Sequence, residues 1–187
     1  ALPISVYLDI SHPEVEEFLE IRKASGDFNR KGLNLHHGIN ITDEFMECVK
    51  QGTMFGLRSP KDQKVLREID ARQLWQRILE TRLQTGEPYI LNIDAVNRAL
   101  PKHQRELGLK VNTSNLCSEI TLPTGADHDG KERTAVCCLS SLNIETWDQW
   151  ANEEGFVEDV LRMLDNVLTS FIEQAPAGME RAKYSAL

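Results

Sequence analysis

The residues with the clearest capacity for chemistry are a thiol, a carboxylate and an amide. Asn115, Cys117 and Glu119 stand at alternate positions of the chain. Side chains two positions apart share one face of an extended chain, whereas a helix spreads them around its circumference. Flanking Asn112 and Pro123 favour an extended or looped segment, so we expect the three side chains to point the same way. The carboxylate could then act as a general base towards a substrate hydroxyl, with the amide orienting it.

The carboxylate also decides which thiol chemistry fits this site. An anion close to a thiol disfavours the thiolate, which makes nucleophilic attack by Cys117 less favourable. Hydrogen-atom chemistry at the sulfur is easier to accommodate, since it needs no thiolate. The alternative, on pattern alone, is that Cys117 is a small core residue and that Asn115 and Glu119 lie near it by chance.

A second pair of thiols stands at Cys137 and Cys138. Neighbours on a strand face opposite sides, so at most one of them can share a site with Cys117, and both could equally be core residues. The four cysteines fit no CxxC zinc spacing, and the five histidines have no HExxH context. His36 and His37 would face opposite ways on a strand, so we predict no metal site.

The elements that would position these residues alternate between strands and helices. Strands or extended segments are predicted where β-branched and aromatic residues are bounded by turn residues, at 4–10, 37–41, 89–93, 116–122 and 133–144. Helices are predicted where apolar residues recur at helical spacing behind a capping residue: from Val15, after Thr42, from Asp70 to Thr85 and over 156–173. Residues 97–113 are interpreted as a loop, and His12 as a capping or turn residue. This alternation favours an α/β architecture with parallel strand pairing.

Composition excludes several classes of function for these 187 residues. Acidic residues outnumber basic ones by 29 to 21, and the net charge of -8 opposes a primary role in binding nucleic acid. No apolar run approaches the ~18 residues of a membrane span, so no membrane association is predicted. The cysteines form no disulfide framework, which indicates a reducing compartment such as the cytoplasm. The chain starts almost directly in a predicted strand and has no terminal tail, so we expect a piece of a longer polypeptide.

Several motifs, in chain order, resemble the large catalytic subunit of ribonucleotide reductases. The most specific is Asn115-Leu116-Cys117-Ser118-Glu119-Ile120, which resembles the family's Asn-Leu-Cys-x-Glu-Ile motif. Three further stretches match the family's Cys-x-Leu-Ser-x-x-Asn strand, its Thr-Gly-x-x-Tyr-Ile segment and the segment after its effector-specificity loop: residues 135–143, 85–97 and 7–19. The resemblance covers essentially all 187 residues.

The resemblance implies a fold and a role for each site residue. The fold would be part of a ten-stranded α/β barrel whose finger loop carries the radical cysteine, and residues 1–187 would be an incomplete segment of that domain. Cys117 would be the transient thiyl radical that removes the ribose 3′ hydrogen, and Glu119 would take the 3′-hydroxyl proton. Asn115 would hydrogen-bond the substrate and Glu119, and Leu116 would lie against the substrate. Cys137 would be one half of a dithiol that supplies reducing equivalents and becomes a disulfide.

The resemblance also implies parts of the machinery that lie outside this chain. The dithiol partner of Cys137 lies upstream in the family, the substrate-phosphate loop lies downstream, and the effector loops for ATP and deoxynucleotides precede residue 1. We therefore expect the chain alone to be inactive. No cofactor is expected to bind within it. The radical source would be external, either a metal-containing small subunit in class I, which we favour, or adenosylcobalamin in class II.

The same resemblance implies a set of partners. The substrate would be a ribonucleoside di- or triphosphate, and the reductant would be thioredoxin or glutaredoxin. The rest of the large subunit would complete the barrel, and the family is usually a homodimer.

Two other functions remain open on the residues themselves. A thiol-disulfide enzyme that uses Cys137 and Cys138, or Cys117, would have a reactive thiolate, which a titration of thiol reactivity against pH reveals. In a non-catalytic scaffold module the cysteines would be core residues, and Cys117→Ser would change stability but no activity of a longer parent. The reductase hypothesis predicts the reverse, because an O–H bond is too strong to yield the needed radical.

Overall fold

The computed structural model describes residues 3–186, which divide into two compact units. The first contains the residues up to Glu106 together with Lys110–Leu122, and the second contains Leu107–Leu109 and the residues from Pro123 onwards. The strands of the first unit are β1 (Ile4–Asp9), β2 (Leu35–Ile41), β3 (Met54–Arg58), β4 (Val65–Asp70) and β5 (Tyr89–Asn92). Its helices are α1 (Val15–Phe18), α2 (Asp43–Gln51), α3 (Ala71–Thr85), α4 (Ile93–Ala99) and α5 (Lys102–Glu106).

The elements of the second unit are shorter, except for one long helix. They are the strands β6 (Gly125–Ala126) and β7 (Glu132–Arg133) and the helices α6 (Trp147–Trp150), α7 (Phe156–Gln174) and α8 (Glu180–Ala186). None of the helices between residues 3 and 186 is long and apolar enough to cross a membrane.

A three-stranded parallel sheet in the order β1-β2-β5 confirms the predicted α/β architecture. Its register pairs Tyr7 with Gly38 and Asp9 with Asn40, so these four residues lie on one face of the sheet. The intervening positions, which include Ile39, face the hydrophobic core. One face of the sheet therefore carries core residues, with buried His37 among them, and the other is a polar face with Tyr7, Asp9 and Asn40.

The core lies between this sheet and the helices α2 and α3. Both helices begin at the predicted capping residues: Thr42 accepts a hydrogen bond from the Phe45 amide at 3.3 Å, and Asp70 accepts one from the Gln73 amide at 2.9 Å. The residues of the core are almost fully buried: Ile10, Val15, Leu19, Ile39, Ile41, Phe45, Phe55, Leu57, Ala71, Leu74 and Ile78. Both helices end at a glycine with positive φ, Gly52 and Gly86.

Several predicted segments differ in the structure. Residues 97–113 are not a loop throughout, since α4 and α5 occupy much of the stretch 93–106. The sequence does not predict the antiparallel hairpin of β3 and β4. In β4 the apolar pair Val65 and Leu66 is followed by the charged pair Arg67 and Glu68, so apolar and polar residues do not alternate as in a half-buried strand. The helix after Glu14 contains only Val15–Phe18. His12 does act as a turn residue, because its Nδ1 accepts a hydrogen bond from the Glu14 amide at 3.2 Å.

Two predicted strands around the cysteines are wrong. Residues 116–118 form a turn rather than an extended segment, and from 134 to 143 no strand is present among the described residues. A strand needs a neighbour to satisfy its backbone groups. The two-residue strand β7 reaches only Arg133 of the predicted strand at 133–144, and it pairs with β6. The predicted alternation of Cys137 and Cys138 across a strand therefore does not apply.

The second unit contains the last predicted helix, with nearly the predicted bounds. The apolar stripe of α7 is present, but side chains such as Leu161 and Val167 are 61% and 46% exposed. The hairpin of β6 and β7 is joined to α8 through Asp127, which accepts a hydrogen bond from the Tyr184 hydroxyl at 2.6 Å. This hydrogen bond has the largest effect on the pKa of Asp127. Together with hydrogen bonds from the Lys131 and Asp129 amides and from Arg133, it lowers that pKa to about 2.

Candidate functional site

Four of the predicted site residues lie in a tight turn between Ser114 and Ile120: Asn115, Leu116, Cys117 and Glu119. The Ser118 amide donates to the Asn115 carbonyl at 3.3 Å, which closes the turn around Cys117. Ser118 adopts φ +70°, in the left-handed region that costs a residue with a side chain about 1–2 kcal/mol. The turn leaves the Cys117 side chain exposed to solvent.

The Asn115 side chain organises this turn through two hydrogen bonds. Its Nδ2 donates to Glu119 Oε1 at 2.7 Å, and its Oδ1 accepts from the Ile120 amide at 3.1 Å. The Ser114 hydroxyl lies 3.3 Å from the same Oδ1 and 2.6 Å from the Ile120 carbonyl, to which it donates. Asparagine side chains commonly bond to nearby backbone in this way. Asn115 and Glu119 are thus brought together as expected, but by a turn and not by strand alternation.

The turn is attached to the polar face of the parallel sheet. The Tyr7 hydroxyl donates to the Asn115 carbonyl at 3.0 Å and lies 2.8 Å from Ser118 Oγ. Asn40 Nδ2 donates to Asp9 Oδ1 at 2.9 Å and to the Asn112 carbonyl at 3.0 Å. The site therefore lies near the carboxyl ends of parallel strands, where ligands bind in α/β folds.

The supporting contacts were not predicted from the sequence. In the sequence Tyr7 belongs only to a family-like motif, and no pattern predicts a role for Asn40. The signal in the sequence is that Asp9 and Asn40 are polar residues near the carboxyl ends of two partly apolar strands. Without the pairing of β1 with β2, however, nothing in the sequence places the two side chains side by side.

Asn97 and Asp94 also belong to the family-like motifs, and each forms hydrogen bonds that explain its residue type. Asn97 Nδ2 donates to the Val111 carbonyl at 3.0 Å and Asn97 Oδ1 accepts from the Val111 amide at 2.9 Å. Asp94 Oδ2 accepts from the Asp43 amide at 2.8 Å, at the start of α2. Asn97 therefore fixes the segment that leads into the turn, and Asp94 caps a helix.

The other candidate thiols lie in the second unit. Cys137 is exposed and Cys138 is partly buried, both within the irregular stretch 134–143. Cys48 lies in α2 and packs against the core.

Glu87 forms a second polar cluster, with two histidines that the sequence suggested would face apart. Its Oε1 lies 2.6 Å from His36 Nδ1, and its Oε2 lies 3.0 Å from both Nδ1 and the amide nitrogen of His37. Arg22 Nε lies 3.5 Å from Oε2. Burial lowers the pKa of His37 below its usual value, against the opposing effect of Glu87. Burial alone would raise the pKa of Glu87, but hydrogen bonds from His36 and His37 together lower it.

No group of three or more histidine, cysteine or acidic side chains within 3–186 is arranged to hold a metal ion. The turn of the first unit presents a thiol at its tip, beside a carboxylate held by an amide.

Comparison with known proteins identifies the family. The family model described as "Ribonucleotide reductase, barrel domain" matches residues 3–185. The chain belongs to this family. A Frog virus 3 (isolate Goorha) protein assigned as a ribonucleoside-diphosphate reductase large subunit is 52% identical over 92% of this chain and 29% of its own length. The large subunit from Invertebrate iridescent virus 3 is 40% identical over 97% of this chain and 37% of its own length.

A solved structure gives the same result at the level of the fold. The class Id ribonucleotide reductase alpha subunit of Actinobacillus ureae matches with a TM-score of 0.77 and 30% identity. The match covers 97% of this chain and 31% of that chain. The chain thus spans about a third of the length of these three relatives. The three-stranded sheet is a part of the barrel, and the finger loop of the expected barrel is not seen in residues 3–186.

Proposed function

We propose that residues 1–187 are a segment of the catalytic barrel domain of a ribonucleotide reductase large subunit. The whole subunit would reduce ribonucleotides to 2′-deoxyribonucleotides, as precursors for DNA. The observation that carries this proposal is the Asn115–Glu119 hydrogen bond in a turn with Cys117 exposed at its tip, in a chain whose family match covers residues 3–185.

In this proposal Cys117 acts as the transient thiyl radical that removes the ribose 3′ hydrogen. Glu119 takes the 3′-hydroxyl proton, which a carboxylate within reach of a substrate hydroxyl can do as a general base. Asn115 orients Glu119 and hydrogen-bonds the substrate, and Leu116 lies against it. The exposure of Cys117 and Glu119 supports these roles, because a bound nucleotide can reach both side chains.

Cys137 is proposed as one thiol of the dithiol that reduces the substrate and is oxidised to a disulfide. Its exposure supports reduction of that disulfide by a partner such as thioredoxin or glutaredoxin. The radical would be generated outside this chain, by a metal-containing small subunit, which supplies the oxidising equivalent that converts the Cys117 thiol to a thiyl. Class I and a diphosphate substrate are favoured by the names of the relatives.

The rest of the large subunit is proposed as the main partner of this segment. Within residues 3–186, β1 and β5 each pair only with β2, so each has an edge that further barrel strands can close. The exposed apolar stripe of α7 is a second surface that further polypeptide can cover. We further propose that the whole subunit is a cytoplasmic homodimer. It would bind ATP and deoxynucleotide effectors outside this segment.

The proposal is tested by Cys117→Ser in the full-length large subunit, assayed for nucleotide reduction with its radical source and a dithiol reductant. We expect turnover to fall below detection with folding intact, because the serine O–H bond is too strong to yield the radical. Cys48→Ser is the matched control, since Cys48 lies in α2 outside the site, and it should retain turnover. Turnover by Cys117→Ser at a rate similar to the control would refute the assignment of the radical to this turn.

A further inference from the structure

The turn that presents Cys117 is joined to the sheet mainly by one hydroxyl group. Tyr7 Oη donates to the Asn115 carbonyl at 3.0 Å and lies 2.8 Å from Ser118 Oγ. A phenolic oxygen has one donor and two acceptor positions, so it can donate to the carbonyl and accept from Ser118 at the same time. The two bonded residues bracket Cys117, one on either side. The hydroxyl therefore fixes both ends of the short stretch that carries the thiol.

The sheet is shaped to seat this tyrosine. Gly38 is the register partner of Tyr7 on β2, and a Cβ atom at Gly38 would lie 2.5 Å from Tyr7 Cε1. Contacts this short do not occur in folded proteins, so a side chain at position 38 would displace the ring. Gly38 does not have the positive φ that often requires a glycine. The absence of a side chain at position 38 is explained by the ring that lies over it.

The hydrogen bond between Tyr7 and Ser118 also helps to hold Ser118 in a strained backbone conformation. Ser118 has φ +70°, which is unfavourable for a serine and persists only where surrounding contacts hold it. The contacts that hold it are the Tyr7 hydroxyl on its side chain and the Asn115 carbonyl on its amide. Loss of the hydroxyl removes one of these and allows Ser118 to relax, which moves the neighbouring thiol.

We infer that Tyr7 is a positioning residue, which holds the Cys117 turn at the distance from the substrate that hydrogen transfer requires. This role rests on the proposed function. Tyr7 acts through Asn115 and Ser118, and it is not assigned any contact with the substrate. A misplacement of about 1 Å can cost a reaction on the order of 100-fold in rate, so the effect should fall on kcat.

The experiment uses Tyr7→Phe in the full-length large subunit, at a temperature well below thermal unfolding. We expect kcat to fall about tenfold or more, with KM for the nucleotide within about twofold of wild type. Tyr184→Phe is the matched control, because it removes a hydroxyl that donates a 2.6 Å hydrogen bond to Asp127 in the second unit. The Tyr184→Phe variant should keep kcat within about twofold of the wild-type value.

Ser118→Ala tests whether Tyr7 acts through the turn. It removes one of the two bonds to the hydroxyl, so it should lower kcat by less than Tyr7→Phe does. The double variant should be no worse than Tyr7→Phe alone by more than about twofold, since both changes break the same link. If the fold-loss of kcat in the double variant equals the product of the two single losses, Tyr7 and Ser118 act independently. That result would overturn the inference.

Hydrogen exchange of the Ser118 and Ile120 amides gives a readout that does not depend on activity. Faster exchange in Tyr7→Phe together with the loss of kcat supports the inference. Faster exchange with unchanged kcat would make Tyr7 merely structural and would overturn it, as would unchanged exchange. If the wild-type subunit has no reductase activity, the proposed function is wrong. The role of Tyr7 in that reaction is then wrong as well.

Discussion

Replacement of Glu87 by glutamine should destabilise the first unit by about 2 kcal/mol, although the side chain keeps its shape. Only 5% of Glu87 is exposed, and its carboxylate accepts two hydrogen bonds from His37 and one from His36. A hydrogen bond to a charged group contributes roughly 1.5–3 kcal/mol, against 0.5–1.5 for a neutral pair. Glutamine can still accept from His37 with its one oxygen, so two bonds each lose about 1 kcal/mol. Half-exposed His36 can turn to solvent.

Replacement by alanine should cost more, about 4 kcal/mol. Both donors of His37 would then be left without a partner in a side chain and backbone that are fully buried. Each unsatisfied buried group costs roughly 1–3 kcal/mol. Glu80→Gln and Glu80→Ala are the matched controls, because Glu80 is exposed on α3, and each should change stability by about 0.5 kcal/mol or less.

The assay is urea unfolding followed by the fluorescence of Trp75. Trp75 packs against the core and is the only tryptophan of the first unit. Trp147→Phe and Trp150→Phe in the background remove the signal of the second unit. Equal unfolding free energies for Glu87→Gln and Glu80→Gln would refute the assignment of the Glu87 bonds as stabilising.

The pH dependence gives an independent check of the same argument. The folded pKa of Glu87 lies below its usual value, so its contribution is present above about pH 4.5 and is lost as the pH falls further. The pKa of buried His37 is also lowered, so stability declines as the pH falls below about 6.5, where the unfolded state takes up a proton that the folded state does not. The difference between wild type and Glu87→Gln should therefore shrink between pH 5 and pH 3. A constant difference over that range would contradict the charge-based explanation.

Two further predictions concern close contacts elsewhere in the chain. Gly38→Ala should destabilise the first unit by about 1–3 kcal/mol in the same Trp75 assay, because its Cβ overlaps the Tyr7 ring. Gly32→Ala, whose Cβ would lie 3.5 Å from its nearest neighbour, is the control and should cost little; an equal cost for both would exclude the clash. Asp127→Ala should speed amide exchange at Lys131 by about tenfold or more, because that amide donates to Asp127 Oδ1 at 2.9 Å. In wild type, with a folded pKa of about 2, the same loosening should begin as the pH falls below about 3.8; unchanged exchange at pH 2 would contradict it.

The capped helices and the parallel sheet of the first unit were predictable because their signals are local. Thr42 and Asp70 cap their helices as the sequence indicates, and the apolar runs of β1, β2 and β5 form the sheet. The hairpin of β3 and β4 was missed, because its exposed second strand is held by backbone pairing, and pairing leaves no mark in side-chain pattern.

The candidate site shows where local patterns stop being sufficient. The motif at residues 115–120 identified the residues that come together, but strand alternation gave the wrong reason. Asn115 bonds to Glu119 because a turn at Ser118 reverses the chain, and a positive φ at a serine is not readable from residue type. The contribution of Tyr7 depends on a contact between residues more than 100 positions apart, which no local pattern reports.

The contacts around Cys117 are of two kinds, local and long-range along the chain. This difference has a consequence for folding. Those that form the turn lie within 114–120, whereas those that join it to the sheet span 72 to 111 positions. Closing a loop of about 108 residues rather than 7 is roughly four doublings of length, or about 2.4 kcal/mol of additional chain entropy. We therefore expect the turn to form early, and its attachment to β1 and β2 to form late. Substitutions at Tyr7 or Asn40 should then speed the detachment of the turn and leave the rate of its formation unchanged.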